Sequence, residues 1–88
     1  MPLWAGRVRR LVRVLIEEGR TERFFVATRA QDNGDYQVHR SGCRFLPTER
    51  RRQYIGSFDN GFHALKEARQ LFVQSNGCAS CSPEIHTK

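Results

Sequence analysis

The chain has 88 residues and a mass of 10.2 kDa, which allows one small domain and excludes a second independent core. Hydrophobic residues make up 39% and charged residues 27%, so wholesale disorder is excluded, yet the apolar content is thin for an unaided core and invites a further staple. A net charge of +6 with a pI near 10.0 favours an anionic partner, either nucleic acid or an acidic protein surface.

Residues 7–18 set Val8, Leu11, Val12, Leu15 and Ile16 at spacings of three and four, with arginines and Glu17 between them. That pattern predicts an amphipathic helix ended by Gly19, whose apolar stripe covers a core or docks a protein partner or a second copy of the chain. Arginines scattered through this stretch and the lack of a small-residue cleavage pattern argue against a secretory signal. The longest apolar run, 11–16, contains Arg13 and falls far short of the roughly 20 residues that span a bilayer, so no membrane association is expected. Residues 1–22 are read as an N-terminal helix or extension, 23–83 as the folded domain and 84–88 as a tail.

From Phe24 the pattern turns to short extended pieces. Residues 24–28 are aromatic and β-branched, 36–40 alternate, and Asn33-Gly34 between them tolerates positive φ, which predicts a hairpin. Residues 46–52 read as a charged loop, and 53–58 as a third strand with Gly56 marking a bulge. Asp59 and Asn60 can accept from the free amides of a helix start, and Phe62, Ala64, Leu65, Ala68, Leu71 and Phe72 make an apolar stripe beyond them. Asn76-Gly77 supplies a left-handed cap or tight turn after that helix. The expected fold is α+β: a small antiparallel sheet of about three strands packed with one helix and a zinc knuckle, plus the N-terminal amphipathic helix.

Two half-sites carry the chemistry, His39-x3-Cys43 at the end of the second strand and Cys78-x2-Cys81 just after the last helix. Cys3His is an ordinary closed tetrahedral zinc set, and both spacings can wrap one ion. The fourth ligand is His39, held by a strand, or His86, five residues after Cys81; His39 is favoured because His86 lies in the expected tail. His63 falls among the helix residues and reads as an ordinary surface histidine. Three cysteines, an odd number, suit a reducing cytoplasm in which all are available as thiolates. The competing reading of three small buried apolar cysteines without metal explains the thiols but not their spacing. A redox CxxC pair is disfavoured because Cys78 follows the expected helix C-terminus, whereas reactive pairs sit at helix N-termini.

These residues resemble the zinc-binding domain of the Ada-type DNA alkylation-repair proteins. That family pairs a ligand-x3-Cys element with a later C-x2-C-x-P, and here His39 to Cys43, the 54–58 strand, Ala64 and Ala68, and Cys78 to Pro83 follow in that order. A closer resemblance is to small bacterial zinc-binding proteins with an Asn-Gly-Asp hairpin, a His-x3-Cys, a Leu-Pro loop, a Gly-x-Phe strand and an Asn-Gly-Cys-x2-Cys ending. The Ada-type resemblance implies a zinc scaffold without the repair reaction. In that family the first ligand is the cysteine that accepts a methyl group, and the matching position here is His39, whose imidazole cannot replace a thiolate in that role. A closed four-ligand site also leaves no position for a zinc-bound water.

No phosphate loop, carboxylate pair or nucleophile elbow is visible in the sequence, so a non-enzymatic zinc module is expected. Its expected nucleic-acid surface comprises Arg40, Arg44, Arg50, Arg51 and Arg52, with DNA or RNA as partner. The alternative is a protein-interaction or accessory module docking through residues 7–18.

Overall fold

Alternation along the first strand decides how the sheet faces its core. In β1 (Glu22–Ala27), Phe24 and Val26 are fully buried, while Phe25 points to the other face and packs on Tyr54 with ring centroids 5.4 Å apart. The computed structural model describes residues 21–87, so the helix expected over 7–18 lies outside the described residues. β2 (Tyr36–Arg40) runs antiparallel to β1, pairing Phe24 with Arg40 and Val26 with Val38, which places Val38 on the core face and His39 opposite Phe25. The Asn33-Gly34 turn joins them as expected, with Gly34 at φ 90° and the Asp35 amide donating to the Asn33 side chain.

β3 (Arg52–Phe58) pairs antiparallel with the other edge of β1. The register slips where Phe24 faces Gly56 and Phe25 faces Tyr54, leaving Ile55 as the extra residue of a bulge. Gly56 takes φ 130°, and a side chain there would meet the Phe58 ring 2.9 Å away, so the expected role of this glycine holds. The single helix of the described residues, α1 (Gly61–Leu71), starts where the Asn60 side chain accepts the His63 amide at 3.0 Å. Its buried face is Gly61, Ala64, Leu65 and Ala68, small residues that let the helix approach the strands closely. Phe62 and Leu71, expected in that stripe, are instead 61% and 53% exposed, because the sheet beneath is only wide enough to cover the alanine row.

The sheet departs from the expected three antiparallel strands. Beyond α1 the chain adds β4 (Ser75–Gly77), parallel to β2, giving a mixed four-stranded sheet in the order β3-β1-β2-β4. Asn76-Gly77 therefore lies within a strand and caps no helix; α1 ends earlier, where the Phe72 amide donates to the Ala68 carbonyl. Three residues with no apolar side chain carry no strand pattern, and tertiary pairing alone makes them one. Phe72 stacks on Tyr36 at 4.1 Å and closes that end of the core.

Residues 84–87 are not a tail. Pro83–Ile85 form a 3-10 turn, Ile85 is 2% exposed within the core, and Ser82 is fully buried. The Glu84 carboxylate lies at the N-terminus of α1, against Gly61, where the helix amides favour negative charge. No helix among the described residues is long and apolar enough to cross a membrane.

Candidate metal centre

His39 alternates with Val38 and so leaves the core, yet it is only 1% exposed because the two cysteine turns close over that face. Its Nδ1 is buried without a hydrogen-bond partner among the described residues. A buried imidazole nitrogen in that state is destabilising unless a group outside the chain engages it. What surrounds it is sulfur: the ligand atoms of His39, Cys43, Cys78 and Cys81 all lie within 4.8 Å of one another.

Two turns hold the three sulfurs. After β2 the chain reverses at Gly42, φ 88°, with the Cys43 amide donating to the Arg40 carbonyl at 3.1 Å, which folds Cys43 back toward His39. Cys78 follows directly from β4, its amide donating to the Val38 carbonyl at 2.9 Å, so the β2–β4 pairing brings the second half-site beside the first. The Ser82 amide then closes the Cys78 to Cys81 turn onto the Cys78 carbonyl at 2.8 Å. Cys43 Sγ and Cys78 Sγ, 35 positions apart in sequence, stand 4.0 Å from each other. Tetrahedral bonds of about 2.3 Å to one ion imply a sulfur–sulfur edge of roughly 3.8 Å.

Backbone amides point at the sulfurs. Phe45 N lies 3.4 Å from Cys43 Sγ and Arg40 N 3.2 Å from Cys81 Sγ, while the Ser80 and Cys81 amides face Cys78. Such donors compensate thiolate charge. Burial pushes the Cys81 thiol up to about 11 despite its donors. At Cys78 burial also opposes ionisation, but the two amides and the neighbouring thiols outweigh it and hold this thiol below its ordinary range. Burial lowers the His39 pKa, keeping the imidazole in the neutral form that donates a lone pair to a metal. Three sulfurs and one orphaned imidazole nitrogen thus fit a soft or borderline divalent cation.

No family model, curated protein or solved structure matches the chain. The site therefore has to be read from its own geometry.

His86 is not drawn into the cluster. Its Nδ1 lies 2.8 Å from the Gly77 carbonyl, which can only accept, so His86 donates there and anchors the last turn to β4. His63 sits on the exposed face of α1, 3.2 Å from Asp59.

The five arginines expected to bind nucleic acid separate into two groups. Arg40 is occupied within the fold: its guanidinium contacts the Cys81 carbonyl, lies 2.9 Å from Glu22 and 2.5 Å from Glu84, and rests 4.9 Å from the centre of the Phe24 ring. The cause is its alternation with His39, which turns the side chain to the opposite face, beneath the last turn. Arg52 is half-buried, donates to the Pro47 carbonyl at 3.1 Å and covers Phe25. Arg44, Arg50 and Arg51 are exposed, Arg44 beside Phe45 and the other two on a 3-10 turn (Glu49–Arg51). Sequence reasoning missed Arg40 and Ser82 as supports of the cysteine turns, and the only available signal was Pro83 and Ile85 in an otherwise polar ending.

Proposed function

We propose that this protein is a non-enzymatic zinc module whose ion fastens the end of β2 to the turn after β4 and so holds a basic loop ready for DNA or RNA. The observation that carries the reading is the convergence of His39, Cys43, Cys78 and Cys81 to within 4.8 Å around an imidazole nitrogen with no partner among the described residues. Zinc suits this donor set better than other common metals, since three thiolates and one imidazole exclude hard oxygen-seeking cations and form a closed tetrahedral site. A closed site has a structural role: it leaves no position for water or substrate. With three thiols ionised and a dication added, the net charge of the chain moves from +6 to +5, so it remains basic.

Nucleic acid is favoured as the partner by that charge and by Arg44, Arg50 and Arg51, which stand exposed on the loop following Cys43. Arg40 and Arg52 play supporting roles within the fold. The deciding experiment is metal analysis of protein purified under reducing conditions, together with Cys78→Ser. One zinc per chain, lost in the variant along with the cooperative melt, is the expected result; absence of stoichiometric metal refutes the reading. Affinity for DNA or RNA should then fall steeply with salt, and a flat response would remove the nucleic-acid half of the proposal.

A further inference from the structure

We infer that Phe45 is a stacking platform for unpaired bases, and that the nucleic acid this module takes is single-stranded. The inference rests on the nucleic-acid reading above and narrows it. Phe45 is 59% exposed; Phe62 and Leu71 are exposed too, but unlike them it stands beside the metal centre, two residues after Cys43. It forms the shared wall of two clefts. One, of about 290 Å³, lies over the metal centre between Phe45, Gln31, Gln37 and the Cys78 to Ser80 turn. The other, of about 570 Å³, runs from Phe45 past Pro47 and Thr48 to Arg50 and Arg51.

The chemistry of the two clefts differs in a way that suits a strand. Arg50 and Arg51 give the larger cleft two positive charges for phosphates, and Arg44, 5.5 Å from the Phe45 ring centre, adds a third beside it. The smaller cleft is lined by Gln31 and Gln37, a residue type whose side-chain amide carries donors and an acceptor, the groups that meet the edge of an unpaired base. No carboxylate is among the lining residues of either cleft. A flat ring between an amide-lined cleft and an arginine-lined one binds successive nucleotides by stacking and charge, a combination closed to a duplex whose bases are already stacked. The ring is also tied to the metal centre, because the Phe45 amide is the donor to Cys43 Sγ.

The test is a binding series on the zinc-loaded full chain. The probes are a labelled single strand of about 12 nucleotides, as DNA and as RNA, the matching duplex, and an abasic strand of equal length and charge. The single strand should bind more tightly than the duplex, and removing its bases should weaken binding by about 5- to 150-fold. Phe45→Ala should bring the normal strand down to the abasic level while keeping its zinc and its melting temperature, and Phe45→Trp should retain affinity. Equal binding of normal and abasic strands, with a steep salt dependence, overturns the stacking platform but leaves the basic surface standing. No binding of any nucleic acid overturns both. The abasic comparison needs no variant, so it decides the matter even where Phe45→Ala disturbs the loop.

Discussion

Gly77→Ala tests whether the last turn truly locks the metal half-site in place. Gly77 does not take positive φ, so alanine suits its backbone and the effect isolates packing. A Cβ there would lie 2.4 Å from Ile85 Cγ1, 2.7 Å from the Ser82 carbonyl oxygen and 2.9 Å from the Ile85 carbonyl carbon. Carbon contacts settle near about 3.5 to 4.0 Å, so the 82–85 turn would have to retreat by about 1 Å. Two of the three atoms are backbone, and no side-chain rotation relieves them. Overpacking of this kind destabilises by about 1 to 3 kcal/mol, and the upper end applies because the displaced turn begins at the fully buried Ser82, directly after Cys81. In a chain of this length about 3 kcal/mol lowers the melting temperature by roughly 12 to 24 °C. The assay is thermal and denaturant unfolding at fixed excess zinc, beside competition for zinc with a chromogenic chelator. Gly42→Ala is the matched control: its φ is 88° but nothing lies within 4 Å, so it should suffer only the left-handed strain of about 1 to 2 kcal/mol. A Gly77→Ala protein as stable as the parent, or less affected than Gly42→Ala, would refute the close approach of the turn to β4.

Ile85→Ala should cost about 2 to 5 kcal/mol, as expected of a core residue and not of a tail; denaturant midpoints measure it, and a change within 0.5 kcal/mol would return residues 84–88 to the status of a tail. Arg40→Ala should destabilise by about 2 kcal/mol through its lost charged hydrogen bonds while leaving the salt slope of nucleic-acid binding unchanged, whereas Arg51→Ala should reduce that slope and spare the melt. Acidification should weaken the zinc-loaded fold in two stages, followed by circular dichroism at fixed zinc, because the ligands must stay unprotonated to hold the ion. The folded-state pKa of His39 lies below 6.5, so the unfolded chain binds the proton first and stability declines as pH falls from 6.5 toward that lower value. Glu84 is held below 4.5, first by its hydrogen bond from Arg40, so its contribution is intact above 4.5 and disappears as pH falls through the folded value. A zinc-loaded protein equally stable at pH 7 and pH 5 would contradict the first stage.

The sequence was most readable where local chemistry is strong. The hairpin about Asn33-Gly34, the Gly56 bulge, the Asn60 cap and the four-residue cluster each follow from a residue type whose role is fixed within a few positions. β4 and the last turn were not readable, because Ser75, Asn76 and Gly77 have neither alternation nor β-branching. Their placement comes from elsewhere: the Asn76 side chain donates to Asp35, accepts from the Thr87 amide and hydroxyl, and its strand pairs with Tyr36, Gln37 and Val38. A buried asparagine satisfied by partners so far away in the chain looks, in one dimension, like a loop residue.

The sheet and its helix alone do not account for this fold. The core that α1 covers contains two alanines, one leucine, two valines, Ile85 and a single fully buried phenylalanine, which is little apolar surface for a domain of this size. On the opposite face β2 buries His39, whose Nδ1 no group among the described residues engages, beneath two turns whose Cys43 and Cys78 sulfurs stand 4.0 Å apart. Without an ion that face holds an unpaired nitrogen and a Cys81 thiol that burial keeps protonated; with one, the imidazole lone pair and the three sulfurs acquire a common partner. Zinc binding energies of about 10 to 16 kcal/mol in small peptides exceed what so small a core leaves over, so metallation and folding should occur as one transition. The basic loop begins at Cys43, so on the proposed reading its order depends on the ion, and Phe45, Arg50 and Arg51 should be presented as a surface only when the half-site that precedes them is closed.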